Sequence, residues 1–323
     1  MSERLETKVA QALQAAGITS TTEFIWTPVT SVVLVLLDGM TEPLLLKRLE
    51  RVKGDGGEFV SFFAAKTRFG RTRALNWRSE STFPSFQWES GERVDIPFGV
   101  YAIKAETNRA LELFGKNLGS EHERRVNAAL RDMLITVEYD AFFGRHDPAA
   151  SRFEMDGLQT LIPSSNVVTL NESLLTYDAV VEAARIVRSA GGIPRELYAS
   201  TVDIANLSRE LARNFGIGPE GQAKWLTGEL PIPTPFGNIK PIAHPLFPST
   251  GNRYAFVIDP DTPTDDGPSI HLRYLGDEMP LRIDLPGADL TIAQGFLWIV
   301  ALAVPGRYWQ AAISIVPPAG GEA

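Results

Sequence analysis

Along SEHERRVNAALRDMLITVEYDAFFG, apolar residues recur every three or four positions: Val126, Leu130, Met133, Leu134, Val137, Ala141 and Phe142. That period places them on one face of an α-helix. Ser120 can cap its start with Glu123 three positions on, and Gly144 can close it, so the pattern predicts a helix over residues 120–144. At about 1.5 Å per residue such a helix is roughly 36 Å long, enough to cross a domain.

The pattern before this helix has a different character. Leu5, Val9 and Leu13 have helical spacing, but Gly17 and Pro28 interrupt it, which predicts a helix followed by extended chain, an arm. EPLLLKRLERVKGDGG predicts a short helix closed by Gly54, Gly56 and Gly57. From Glu58 to about Phe98 the chain is rich in aromatic, β-branched and arginine residues and has no continuous apolar face, so it predicts strands that need covering from elsewhere. Pro84 and Pro97 mark their edges or corners.

After Pro163 strand and helix alternate twice. NVVTL precedes a helix with Val180, Ala183, Ala184 and Val187 on one face, ended by Gly191 and Gly192. ELYAS precedes a second helix, capped by Ser200 with Asp203 and striped by Ile204, Leu207, Leu211 and Phe215. A proline-rich connection then leads to the strands YAFVID and SIHLRYLG, with the acidic loop DPDTPTDDGP between them. The ending, LTIAQGFLWIVALAVPGRYWQAAISIV, predicts two buried strands hinged at Pro305 and Gly306. The fold class is therefore α+β, with a compact α/β portion inside it.

Composition narrows the function. The 323 residues are 44% apolar, enough for a sizeable core. The absence of cysteine excludes disulfides, thiolate metal sites and cysteine nucleophiles. A net charge of -8 disfavours a dedicated duplex-DNA binder, whose affinity comes from clustered cations. The best apolar run, Val32 to Leu37, is far below spanning length, and the first residues lack a leader pattern, so the expectation is a soluble, unexported protein without membrane contact.

Three stretches could carry chemistry. VSFFAAKTRFGRTRALNWRS holds Lys66, Arg68, Arg71, Arg73 and Arg78 with Phe69 and Trp77 interleaved, and no acidic residue lies between Glu58 and Glu80. Aromatics between cations suit single-stranded nucleic acid. The favoured alternative is a projecting β-hairpin, turning near FGRTR, whose aromatics are buried against a partner. In EYDAFFGRHDPAASRFEMDGLQTLI, a metal-dependent hydrolase could use His146, Asp147 and Glu154, but hydrolytic zinc sites usually pair histidines at helical spacing. His122, His244 and His271 are scattered, so the favoured reading is a turn of Arg145, His146 and Asp147 shaped by Pro148. Asp259, Asp261, Asp265 and Asp266 superficially resemble a calcium loop; their spacing departs from an EF-hand, and a solvated hairpin loop is favoured. G-x-S-x-G, Walker and dinucleotide glycine patterns are absent.

The order of these elements resembles the major capsid proteins of tailed bacteriophages with the Hong Kong 97 phage fold. The likeness rests on an arm, an extended hairpin followed by VDIPFGVYAIKAETNRALEL, the long helix, and then a loose motif: an acidic residue before a glycine break, and later an aromatic residue and a Gly-Leu pair. Glu138, Gly144, Phe153, Gly157 and Leu158 are similar to that motif. The resemblance implies an arm at 1–57, an E-loop hairpin at 58–93 and a peripheral domain at 94–162 with its spine helix at 120–144. It implies an axial α/β domain at 163–255, and a loop with return strands to the peripheral domain at 256–323. It also implies a non-enzymatic subunit that forms hexamers and pentamers of an icosahedral shell around double-stranded DNA, located in the virion, assembled in the host cytoplasm and needing no cofactor. Lys66, Arg68, Phe69, Arg71, Arg73, Trp77 and Arg78 would then contact a neighbouring subunit. Leu134, Glu138, Gly144, Phe153, Gly157 and Leu158 would form the spine helix and its joint. Scaffolding, portal or decoration proteins are the implied partners. An encapsulin-like compartment is the alternative on the same fold. Lys66 raises isopeptide crosslinking, for which no partner asparagine or promoting glutamate matches.

Overall fold

The computed structural model describes residues 26–28, 44–54, 56–57, 59–64, 91–108, 121–147, 149, 153–216, 218–264, 266–285 and 291–317. In chain order the elements are β1 Trp26–Pro28, α1 Leu44–Arg48, β2 Glu50–Lys53, β3 Phe59–Ala64, β4 Glu92–Pro97, β5 Gly99–Asn108, α2 Glu121–Phe143 and α3 Leu158–Leu161. Then follow β6 Val167–Leu170, α4 Tyr177–Ser189, β7 Glu196–Ser200, α5 Thr201–Phe215, α6 Pro219–Leu226, β8 Ile232–Thr234, β9 Gly237–His244 and β10 Arg253–Ile258. The last are β11 Pro263–Thr264, β12 Gly267–Pro268, β13 His271–Tyr274, β14 Leu281–Leu285, β15 Thr291–Ala303 and β16 Ala311–Ile315. Two compact units result: Met1–Ser61 with Asp95–Thr160 and His271–Ala303, and Phe62–Val94 with Leu161–Ile270 and Val304–Ala323.

The first unit is built on β15. Its sequence, TIAQGFLWIVALA, is apolar at successive positions, which suits a strand flanked and covered on all sides. It pairs antiparallel with β5 from Thr291↔Asn108 to Val300↔Gly99, and also with β14 and β13; β13 pairs parallel with β2, and β14 antiparallel with β1. The helix α2 packs on β5 and β15. Leu130, Met133, Leu134, Val137, Ala141 and Phe142 are buried, whereas Val126, in the same apolar period, is half-buried. The helix closes where the Gly144 N–H donates to the Asp140 carbonyl at 2.8 Å. Ser120, the expected cap, lies outside the described residues.

The second unit holds a six-stranded sheet in the order β6-β16-β10-β7-β9-β8. β6 and β16 are parallel, as are β7 and β9; the other pairs are antiparallel. α4 lies on β6, β16 and β10, and α5 on β7 and β9. Val180, Ala183, Ala184 and Val187 from α4 meet Ile204, Leu207 and Leu211 from α5 in one core with Leu197, Val257, Ile313 and Trp225. Ser200 Oγ accepts the Asp203 N–H at 3.1 Å, and Gly216 takes a φ of 65° at the C-terminus of α5, a left-handed conformation that glycine adopts without penalty. Phe215, expected in the buried stripe, is instead 47% exposed, with its ring edge against Tyr177.

The expected return of residues 256–323 to the peripheral sheet is corrected by β16. β15 joins the first unit's sheet, but β16 sits between β6 and β10 in the second, and that unit extends through Ile270. Both strands are apolar runs, so composition does not say which sheet each enters. In the turn between them the Gly306 N–H donates to Ser269 and the Trp309 N–H to Gly306. A Cβ on Gly306 would stand 2.6 Å from that of Ser269, so the close approach requires glycine. Among the described residues no helix is long and apolar enough to cross a membrane.

Candidate functional site: the helix joint and the hairpin base

At the end of α2, Glu138 is fully buried, and its two carboxylate oxygens accept the N–H groups of Leu45 at 2.7 Å and Leu46 at 2.8 Å. These donors belong to the first turn of α1, which has no intrahelical acceptors for them. A carboxylate there satisfies both and complements the positive end of the helix. Leu45 and Leu46 are themselves fully buried, so Glu138 couples a polar anchor to apolar packing.

Two positions on, the buried Asp140 accepts a hydrogen bond from the Tyr101 hydroxyl at 2.9 Å, and the same hydroxyl oxygen accepts the Met155 N–H at 3.2 Å. Helix, strand β5 and the segment 153–157 thus meet at one phenol. Burial raises the Asp140 carboxyl to about 7; the Tyr101 hydrogen bond opposes the shift and the Glu154 charge adds to it. Tyr101 is pushed well above its usual value by burial and by Asp140.

Gly144 and Gly157 make this meeting possible. A Cβ on Gly144 would lie 2.3 Å from the Met155 carbonyl, and one on Gly157 2.3 Å from the Asp140 carbonyl. The Gly157 N–H donates to the Gly144 carbonyl at 2.9 Å, which also receives the Thr160 hydroxyl at 3.2 Å. Leu158 and Leu134 are fully buried, and the half-buried Phe153 presents its carbonyl to the Val100 N–H at 2.9 Å.

His146, Asp147 and Glu154 serve the turn rather than converge on an ion. The His146 N–H donates to Asp156 Oδ1 at 3.0 Å, and Nδ1 lies 3.1 Å from the Glu154 carbonyl. A carbonyl can only accept, so Nδ1 carries the proton in that contact. Asp147 Oδ1 accepts the Ala149 N–H at 3.1 Å. His122, His244 and His271 have separate partners in Thr107, the Leu246 N–H and Arg273. Among the described residues, no three His, Asp or Glu side chains group as metal ligands.

The strands β3 and β4 pair with each other as a two-stranded ladder. Burial alternates along β3: Val60, Phe62 and Ala64 are buried, whereas Phe59 is 48% and Phe63 55% exposed. Ser61 Oγ donates to Asp95 Oδ1 at 2.5 Å. Lys66, Arg68, Phe69, Arg71, Arg73, Trp77 and Arg78, the expected contact residues, lie outside the described residues.

The acidic loop after β10 carries the expected hairpin in β11 and β12, with Asp261 and Pro263 exposed, but its first residue departs from the expectation of a solvated loop. Asp259 is fully buried and accepts from the Ile193 N–H at 2.7 Å, the Thr262 hydroxyl at 2.6 Å and the Thr262 N–H at 3.3 Å. Its own N–H donates to Gln310 Oε1 at 2.7 Å. A second buried pair joins Arg253 to Asp203, with Nε to Oδ2 at 3.1 Å and Nη2 to Oδ1 at 3.0 Å. Sequence reading missed both networks. The signal for the first was a lone polar residue at the edge of an apolar run, Asp259 after YAFVI and Gln310 before AAISI.

The family model for the SU10 major capsid protein matches residues 105–263, a little under half of the chain. That match covers α2, the turn at 144–157 and five of the six strands of the second unit's sheet. Over that stretch the chain is similar to a major capsid protein. Its fold is that of the Hong Kong 97-like capsids and encapsulins. Similar solved structures include the capsid of an empty GTA particle, at 12% identity and TM-score 0.53, with 96% of this chain and 99% of that chain covered. The Cyanophage A-1(L) capsid has 9% identity and TM-score 0.53, covering 88% and 92%. An encapsulin from Synechococcus elongatus PCC 7942 has 11% identity and TM-score 0.51, covering 93% and 94%. No curated protein sequence matches the chain.

Proposed function

We propose that this chain is the major subunit of a tailed-phage head, assembling into hexamers and pentamers of an icosahedral shell that encloses double-stranded DNA. The observation that carries the reading is the match of residues 105–263 to a phage major capsid family, on a chain whose fold is capsid-like throughout. The protein's role is structural, without catalysis or a cofactor. The hairpin at 58–93 lies over a neighbouring subunit, the unit containing α2 forms the peripheral wall, and the α/β unit gathers at the centres of hexamers and pentamers. The exposed rings of Phe59 and Phe63 support the first of these roles, since large apolar side chains at such exposure suit a surface covered on assembly. Leu134, Glu138, Gly144, Phe153, Gly157 and Leu158 hold the joint that the assembled wall must keep rigid. Scaffolding, portal and decoration proteins act as partners during assembly in the host cytoplasm, and the mature location is the virion.

The similarity to an encapsulin supports a second reading, a compartment enclosing a protein cargo. Extraction of purified shells separates the two: nuclease-protected DNA inside supports the phage head, whereas a stoichiometric protein cargo and no DNA supports the compartment.

A further inference from the structure

Phe63, near the end of β3, is held from two sides. The Asp266 Oδ2 accepts its main-chain N–H at 2.6 Å, a short, charge-assisted hydrogen bond. Its ring lies against Gly91, one residue before β4, where an added Cβ would be 2.1 Å from the ring. Phe63 and Gly91 thus lie at the base of the expected hairpin, one residue before the end of β3 and one before the start of β4.

The loop that supplies Asp266 is built to be rigid. Its first residue, Asp259, is fixed by Ile193, Thr262 and Gln310, and Arg195 spans Asp259 at 3.4 Å and Asp261 at 3.5 Å. Its far end is tied by the Ser269 hydroxyl, which donates to the Asp259 carbonyl, and by the Ser269 N–H, which donates to Thr262 at 3.0 Å. Between them β11 and β12 form a short hairpin, in which the Thr264 hydroxyl donates to the Gly267 carbonyl at 2.7 Å and accepts the Asp266 N–H at 3.3 Å. These ties reduce the side-chain and backbone entropy lost when Asp266 holds the Phe63 amide.

We propose that the acidic loop 259–268 is a bracket whose Asp266 holds the end of β3 in place, and that Asp266 is thereby a positioning residue for shell assembly. The proposal rests on the role in intersubunit contact proposed above for the hairpin at 58–93. Fixing the base of a contact element before association removes ordering cost from each association step, so assembly rate is the quantity that responds. The bracket also occupies a strand N–H that could otherwise template pairing with a second chain.

The test compares full-length wild type, Asp266→Ala and Asp266→Asn. Hydrogen exchange of the Phe63 amide is followed in unassembled subunits, with melting of the subunit and light scattering during assembly. The bracket predicts Phe63 exchange about tenfold faster in the alanine variant, an unchanged melting temperature, assembly slowed severalfold, and partial rescue by asparagine, which keeps an acceptor. Unchanged Phe63 exchange would overturn the bracket. Faster exchange with wild-type assembly rates would overturn the positioning role. If wild type itself formed no shells, the assembly reading would fall and the inference with it, a result distinct from variant and wild type assembling alike.

Discussion

Glu138 and Asp140 sit two positions apart on one helix and do opposite things with a buried carboxylate. Glu138 receives two main-chain donors, so removing it orphans both. Glu138→Ala is expected to destabilise the protein by about 2–4 kcal/mol, as two unpaired buried N–H groups would, and a chemical denaturation midpoint would measure the loss. Asp140 is buried with a single hydroxyl donor and lies near another acid, so its carboxyl is raised to about 7, well above the usual carboxylate range. The native state therefore binds this proton more tightly than the unfolded chain. Its contribution to stability is fully present below about pH 4 and is lost as pH rises through 7. Asp140→Asn keeps an acceptor for Tyr101 and removes the titration. Melting temperatures from pH 5 to 8 should fall less with pH in the variant than in wild type; identical slopes would show that Asp140 is not the titrating group.

The element that the pattern of apolar positions makes plainest is α2, and its buried face is the one that the three-and-four spacing marks out. Leu134 lies at the centre of that face with no exposure. Leu134→Asp would bury an unpaired charge at a cost on the order of several kcal/mol and should prevent folding; soluble, cooperatively melting variant protein would refute the packing of the helix. The stripes of α4 and α5 were equally legible, because a helix repeats its face several times within one segment. Phe215 fell outside its stripe because it is the last residue of α5, where tertiary covering rather than period decides burial. Glu138 was legible as part of a resemblance, but its role was not: its partners are 92 and 93 residues away, and no local pattern encodes such a contact. The same holds for Asp259, whose acidic surroundings suggested solvent while Gln310, 51 positions on, buried it.

At the scale of the molecule, two sheets share a chain that passes between units several times, and it is there that sequence reading was weakest. β15 and β16 look alike as apolar runs yet enter different sheets, because strand pairing is a long-range choice made by partners and turns. What did carry across scales was the long helix followed by the α/β unit, which the structure describes as α2 and the second unit's sheet; most of the expected arm and of the expected hairpin lies outside the described residues. On the proposed reading, the basic aromatic stretch between the two ladder strands β3 and β4 is covered by copies of the same chain. The most direct test is negative-stain electron microscopy of the purified chain with light scattering on a sizing column. Closed shells, or rings of five and six subunits, are the predicted result. A uniform monomer or dimer that persists under salt and crowding conditions favouring assembly would contradict the account.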